Sequence, residues 1–316
     1  MLRVLVSALL LGVVLAYANV GDIVDALRGG DWSWFVAAVA LMALVAVVGA
    51  VRWRLLLEDA EIEVSTVQAV RTFAASLFLN NVLPTSFGGD ATRAWLVGRE
   101  SGRLLRAAAA TAVDKATVLM CLFVVAWVAV GLDRGEVPSS LVRVLAWVTL
   151  GVAAAIAVAA LAAAGVRPVV RHLPQRLAAM IREAWATLRI WARSGRLIGW
   201  LLGLGLLYQG LAVLALVCVG KTVAVDLSFS LAAVTAAIVV VAMLVPVSIG
   251  GLGIREGGFV LLLGEAGVDG ADATVVSLLS AAAILLSSAA VVALTSAYDI
   301  HPRGTKARPA PRQPSA

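Results

Sequence analysis

The chain has 316 residues, 62% of them hydrophobic and 14% charged, with a formal net charge of +6. A soluble globular domain carries about 25% charged residues, so the composition excludes a soluble fold and defines an integral membrane protein. The positive charge does not call for nucleic acid, because the cytoplasmic loops of polytopic proteins are themselves rich in Lys and Arg.

The first apolar run covers Leu2 to Ala18, with Arg3 ahead of it and an A-x-A pattern at Ala16 to Ala18. It reads as an uncleaved anchor, a cleaved signal being the alternative; both start the next segment outside. Gly21 to Asp31 is a short acidic external loop. The second helix, Trp32 to Leu57, has Trp32 and Trp34 at one interface. At the other, Trp53 stands between Arg52 and Arg54; the tryptophans form the interfacial belt and the arginines mark the cytoplasmic end.

An apolar helix from Thr66 to Leu83, with Ser65 or Thr66 as its N-cap, then runs into N-N-V-L-P-T-S-F-G-G-D-A-T-R, Asn80 to Arg93. Pro84, Gly88 and Gly89 break it, and a short helix from Asp90 to Val97, with an acidic N-cap, leads back. A full crossing here would put the later arginine-rich loop outside, so the pair reads as a hairpin that enters and leaves on the cytoplasmic side. Its non-helical tip must be buried in protein or line a cavity.

The third full helix, Leu104 to Leu132, carries Asp114 and Lys115 about ten residues from its start, near mid-bilayer at about 1.5 Å per residue. A fourth runs from Leu141 to Ala164. Between Arg167 and Arg196, five arginines alternate with apolar residues and with Trp185 and Trp191. This is a positive-inside loop with amphipathic character at the cytoplasmic surface. A fifth helix, Leu197 to Val219, leads outward. Ser228 to Val245, a break at Pro246 to Gly253 and a short helix from Ile254 to Gly264 follow. The last helix, Ala273 to Tyr298, returns to a proline-rich basic tail.

The second break, P-V-S-I-G-G-L-G-I-R, copies the first. With the prolines superimposed, Pro84, Ser86, Gly88, Gly89 and Arg93 fall on Pro246, Ser248, Gly250, Gly251 and Arg255, so five of ten positions agree. Chance alignment of apolar segments does not match a proline, a serine, a glycine pair and an arginine at one offset. The fold expected is all-α and polytopic, with about six full transmembrane helices and two re-entrant helical hairpins in an inverted-topology repeat. Residues 1–299 form one membrane domain, with repeat one over 32–132 and repeat two over 194–298; residues 300–316 are a disordered cytoplasmic tail. Paired broken helices of opposite direction are the architecture of alternating-access translocation.

Each break exposes backbone N–H groups at a helix start carrying about half a positive charge, and Arg93 and Arg255 follow one turn on. With Ser86, Gly88, Gly89, Ser248, Gly250, Gly251 and Gly253, these are binding groups for a phosphate or carboxylate. Asp90 has three open roles: capping its helix, holding Arg93, or binding a cationic group. Glu256 can pair with Arg255. Asp114 is a partner for Arg93, and Lys115 is a phosphate contact. Asn80 and Asn81 either satisfy freed backbone groups or touch a headgroup. Ionisable groups at this depth are costly and mark pathways. Cys121 and Cys218 lie in apolar runs, and His172 and His301 in basic segments. No metal site, cofactor or catalytic constellation is therefore expected.

The signature Asn81, Pro84, Gly88, Gly89, Asp90, Arg93 resembles the transmembrane region of lysylphosphatidylglycerol synthases and the wider flippase-like family. So do the later signature from Pro246 to Glu256 and the stretch Val113 to Lys115. The likeness covers Trp32 to Tyr298. It implies flipping of a phospholipid or lipid-linked precursor. Family members often carry Arg where this chain has Lys115, which keeps charge and loses a bidentate fork. The synthases also carry a large soluble aminoacyl-transfer domain; only a short tail follows Tyr298 here, so aminoacylation by this chain alone is not expected. The function expected is translocation of an anionic phospholipid or polyprenyl-phosphate-linked intermediate across the cytoplasmic membrane, as a homo-oligomer or beside a lipid-modifying enzyme. The alternatives are an ion-coupled carrier of a small anion and a non-catalytic subunit of a lipid-modifying system.

Overall fold

Asp31 caps the helix that begins at Trp32: its carboxylate accepts a hydrogen bond from the Ser33 backbone N–H at 3.1 Å, satisfying one of the free donors of the first turn. The computed structural model describes residues 27–83, 87–132, 135–169, 194–244 and 251–299, with backbone alone at 156–169 and 299. Among them the chain is all helix: α1 (Trp32–Asp59), α2 (Thr66–Val82), α3 (Gly88–Ser101), α4 (Leu104–Leu132), α5 (Ser139–Val169), α6 (Gly195–Thr222), α7 (Phe229–Leu244), α8 (Ile254–Gly264) and α9 (Gly270–Asp299). Four of these, α1, α4, α6 and α9, are long and apolar enough to cross a bilayer. At 28 to 30 residues, each spans about 42–45 Å at a rise of about 1.5 Å per residue. The anchor at Leu2 to Ala18, the arginine-rich segment over 170–193 and the tail lie outside the described residues.

Side-chain links sort the helix ends into two groups. At one end Arg103 and Arg106 donate to Glu61, and Gln68 Nε2 donates to Glu100 at 2.8 Å. The start of α2 therefore lies beside the end of α3, and the two form a hairpin open toward the Glu61 end. At the other end the Asp31 N–H donates to the Thr222 carbonyl, and Ser140 Oγ donates to Glu265 at 2.8 Å. There the α7–α8 hairpin begins and finishes. The two hairpins open to opposite ends of one bundle.

Short hairpins cannot cover their own apolar surface, and each half of the chain lends helices to the other's. α9 packs on α2 and α4 on α7, while α1 lies along α6. Exchanging α1–α4 for α6–α9 maps the packing onto itself: α2/α3 onto α7/α8, α3/α4 onto α8/α9, and α1/α9 onto α6/α4. Two apolar cores result, one around Trp53, Leu57, Phe73 and Val291 and the other around Ala126, Leu145, Val219 and Leu263.

Three expectations need correction. Trp53 is not interfacial; it is fully buried, and its indole N–H donates to Thr111 Oγ1 at 3.1 Å. Arg52 does not mark a helix end, because α1 continues to Asp59 and encloses Arg52 in the bundle. The return helix α3 starts at Gly88 rather than Asp90, and Asp90 lies in its first turn. The cap comes from the preceding helix instead, through Asn80.

Candidate functional site

Asn80 lies in the last turn of α2, facing the start of the next helix. Its Oδ1 accepts from the backbone N–H of Gly89 at 2.8 Å and of Asp90 at 3.3 Å, so it answers the donors that the break sets free. The approach is tight enough that a Cβ on Gly89 would collide with the Ser76 carbonyl oxygen. In the second hairpin Met243 occupies the comparable place over Gly251, and it offers no strong acceptor. The cap comes from Glu256, whose Oε2 accepts from the Gly253 N–H at 2.5 Å. Gly251 and Gly253 have φ of 79° and 84°, which a side chain would strain. Side chains of this chain thus hold the N–H groups of Gly89, Asp90 and Gly253.

From the first hairpin runs a chain of charges of alternating sign. Asp114 accepts from Arg52 Nε at 2.7 Å and from Arg93 Nη2 at 2.8 Å. Arg93 also pairs with Asp90 at 3.1 Å, and the other oxygen of Asp90 pairs with Lys115 Nζ at 3.0 Å. Arg52, Arg93 and Asp114 are all 2% exposed or less, whereas the Lys115 side chain is 37% exposed. Arg93 lies between the Phe73 and Trp53 rings, 4.6 and 4.9 Å from their centroids, and Arg52 lies 5.0 Å from the Tyr208 ring. A planar guanidinium suits such stacking and an ammonium less so. Among the described residues, Nη1 and Nη2 of Arg52 and Nε and Nη1 of Arg93 have no acceptor; the ring faces supply part of their stabilisation.

The charges end at a cavity of 760 Å³ between the two halves. Asn80, Asn81, Asp90, Lys115, Tyr208, Gln209 and Arg255 line it together with many apolar side chains, among them Met42, Leu119, Leu216 and Phe259. Arg93 and Asp114 stand behind this wall. Arg255 Nη2 donates to Glu256 at 2.8 Å, and Arg255 Nη1 reaches Asn81 Oδ1 at 3.4 Å, so the hairpin tips meet across the cavity. Gly88 and Gly89 open α3 beside it. Ser86, Ser248 and Gly250 lie outside the described residues. The sequence reading missed Arg52, Tyr208 and Gln209. Arg52 carried no separating signal, because an arginine near a helix end suits an interfacial anchor and a buried ion pair alike.

Together these features define an α-helical membrane protein with a charged, largely apolar cavity where two opposed hairpins meet. Over residues 1–291 the chain matches the lysylphosphatidylglycerol synthase TM region, and it belongs to that family. No curated protein and no solved structure matches it.

Proposed function

We propose that the protein moves an anionic phospholipid or a polyprenyl-phosphate-linked intermediate across the cytoplasmic membrane without altering it chemically. The observation that carries this reading is the cavity: its lining includes Lys115, Asp90 and Arg255, and most of the rest is apolar. An amphiphile needs that combination, with cations for a phosphate and apolar surface for chains. The opposed hairpins are then re-entrant, the Glu61 end faces the cytoplasm, and the exchange of helices between halves supports an inverted repeat. Anionic membrane lipids are the partners.

Reconstitution into liposomes with headgroup-labelled lipids tests it. The wild type accelerates exchange between leaflets, and Lys115→Gln combined with Arg255→Gln abolishes the acceleration while the fold survives. Equal rates for both proteins would remove the site.

One observation favours a second reading. Asp90 presents a carboxylate to the cavity, as an ion-coupled carrier of a small anion requires. Uptake of a soluble anion driven by a proton or sodium gradient, without lipid exchange, would select that reading.

A further inference from the structure

The charges around the cavity do not cancel. The connected series Arg52, Asp114, Arg93, Asp90, Lys115 alternates in sign and has a cation at each end. Arg255 and Glu256 form a second, self-neutral pair. Among the described residues of these two groups, four cations therefore face three carboxylates. The excess of one cannot be answered at the Arg52 end, where the side chain is fully buried against the Tyr208 ring. Only the Lys115 end opens into the cavity, with its Nζ 5.8 Å from the Phe87 ring centroid.

We infer that this cavity selects a lipid whose headgroup carries one net negative charge, a monoanionic phosphodiester, over zwitterionic headgroups and over diphosphates. The inference rests on the lipid reading above and narrows it. In a medium of low dielectric an uncompensated charge is the dominant cost. A single anion against Lys115 brings the cluster to neutrality. A zwitterion leaves the excess in place, and a diphosphate overshoots it. The largely apolar lining lowers the local dielectric and weakens the screening of that difference.

Competition for a fluorescent lipid, measured on the purified full-length chain in detergent micelles, tests the inference with three probes: phosphatidylglycerol, phosphatidylethanolamine and a polyprenyl diphosphate. Phosphatidylglycerol is expected to compete about tenfold better than either, the scale of a partly screened unit charge. Changing the cluster's charge should reorder the probes. Asp90→Asn raises the excess to two and moves preference toward the diphosphate. Lys115→Gln removes the excess and lets phosphatidylethanolamine compete as well as phosphatidylglycerol. Lys115→Arg keeps the wild-type order. A residue that only supported the fold would weaken all three probes alike.

If the probes bind equally well to wild type, or keep one order in every folded variant, the charge inference is overturned while the lipid reading stands. Should no lipid bind at all, both fall. The wild-type order decides by itself if a variant fails to fold.

Discussion

Arg52 Nε donates to Asp114 Oδ1 at 2.7 Å across 62 positions of sequence, and neither side chain is more than 1% exposed. Asp114 also holds Arg93, so one buried carboxylate ties α1, α3 and α4 together. Asp114→Ala leaves two buried guanidinium groups without their counter-ion and should cost about 3–5 kcal/mol. Thermal unfolding in detergent measures the loss. Combining Asp114→Ala with Arg52→Leu should cost less than the sum of the two single changes, because residues in contact do not add. Strict additivity would show that the pair is not coupled.

Asn80 is the cap of the return helix. Asn80→Ala frees the N–H groups of Gly89 and Asp90 and should destabilise the fold by about 1–2 kcal/mol. Asn80→Ser retains an acceptor and should recover part of this in the same melting assay. Identical melting of the alanine and serine variants would refute the capping role.

Two glycines near the hairpin tips should respond oppositely to alanine. Gly89→Ala drives a Cβ into the Ser76 carbonyl, whereas a Cβ on Gly257 meets nothing within 4 Å. The first substitution should cost about 1–3 kcal/mol by overpacking. The second should be neutral or slightly stabilising, since alanine is the better helix former.

Glu256 and Asn81 both contact Arg255, with unequal consequences. Glu256 is fully buried and also caps α8, so Glu256→Ala strands a buried cation and frees the Gly253 N–H. A loss of about 3–5 kcal/mol is expected. Asn81→Ala removes the long hydrogen bond from Arg255 at 3.4 Å and the one that Asn81 Nδ2 donates to the Leu77 carbonyl at 3.0 Å, and should cost about 1–2 kcal/mol. Its effect belongs in the rate of lipid exchange, because the bond from Arg255 joins the two hairpin tips. Comparing melting temperature with exchange rate for both variants separates stability from gating.

Glu61, in the exposed turn between α1 and α2, responds to pH. Hydrogen bonding and charge from Arg106, with further charge from Arg103, hold its carboxyl below the ordinary glutamate range. A depressed folded value means its contribution is present above the unfolded value and is lost as pH falls through the folded one. Hydrogen exchange at the amides of Glu61 to Val64 should quicken as pH is lowered through that window, after correction for intrinsic rates. Glu61→Gln should exchange quickly at all pH values.

What the sequence determined by itself was set by local chemistry and by pattern. Helix bounds at Leu104–Leu132 and Ile254–Gly264 follow from continuous apolar runs, and the Ser65 cap of α2 follows from side-chain preference. The paired breaks follow from proline and glycine at one offset, and the match of Arg93 with Asp114 from the scarcity of charge at that depth. Only the tertiary structure could decide where Trp53 and Arg52 lie, because tryptophan beside arginine satisfies an interfacial belt and a buried stacked cluster equally well. It also showed Asn80 answering the freed N–H groups of Gly89 and Asp90, since a cap taken from the previous helix depends on how sharply the chain turns back. The alternating charges from Arg52 to Lys115 join three helices through contacts spanning up to 62 residues, and no periodicity records such partners. Packing selects them, because a buried charge must find its counter-ion wherever the fold brings one within reach.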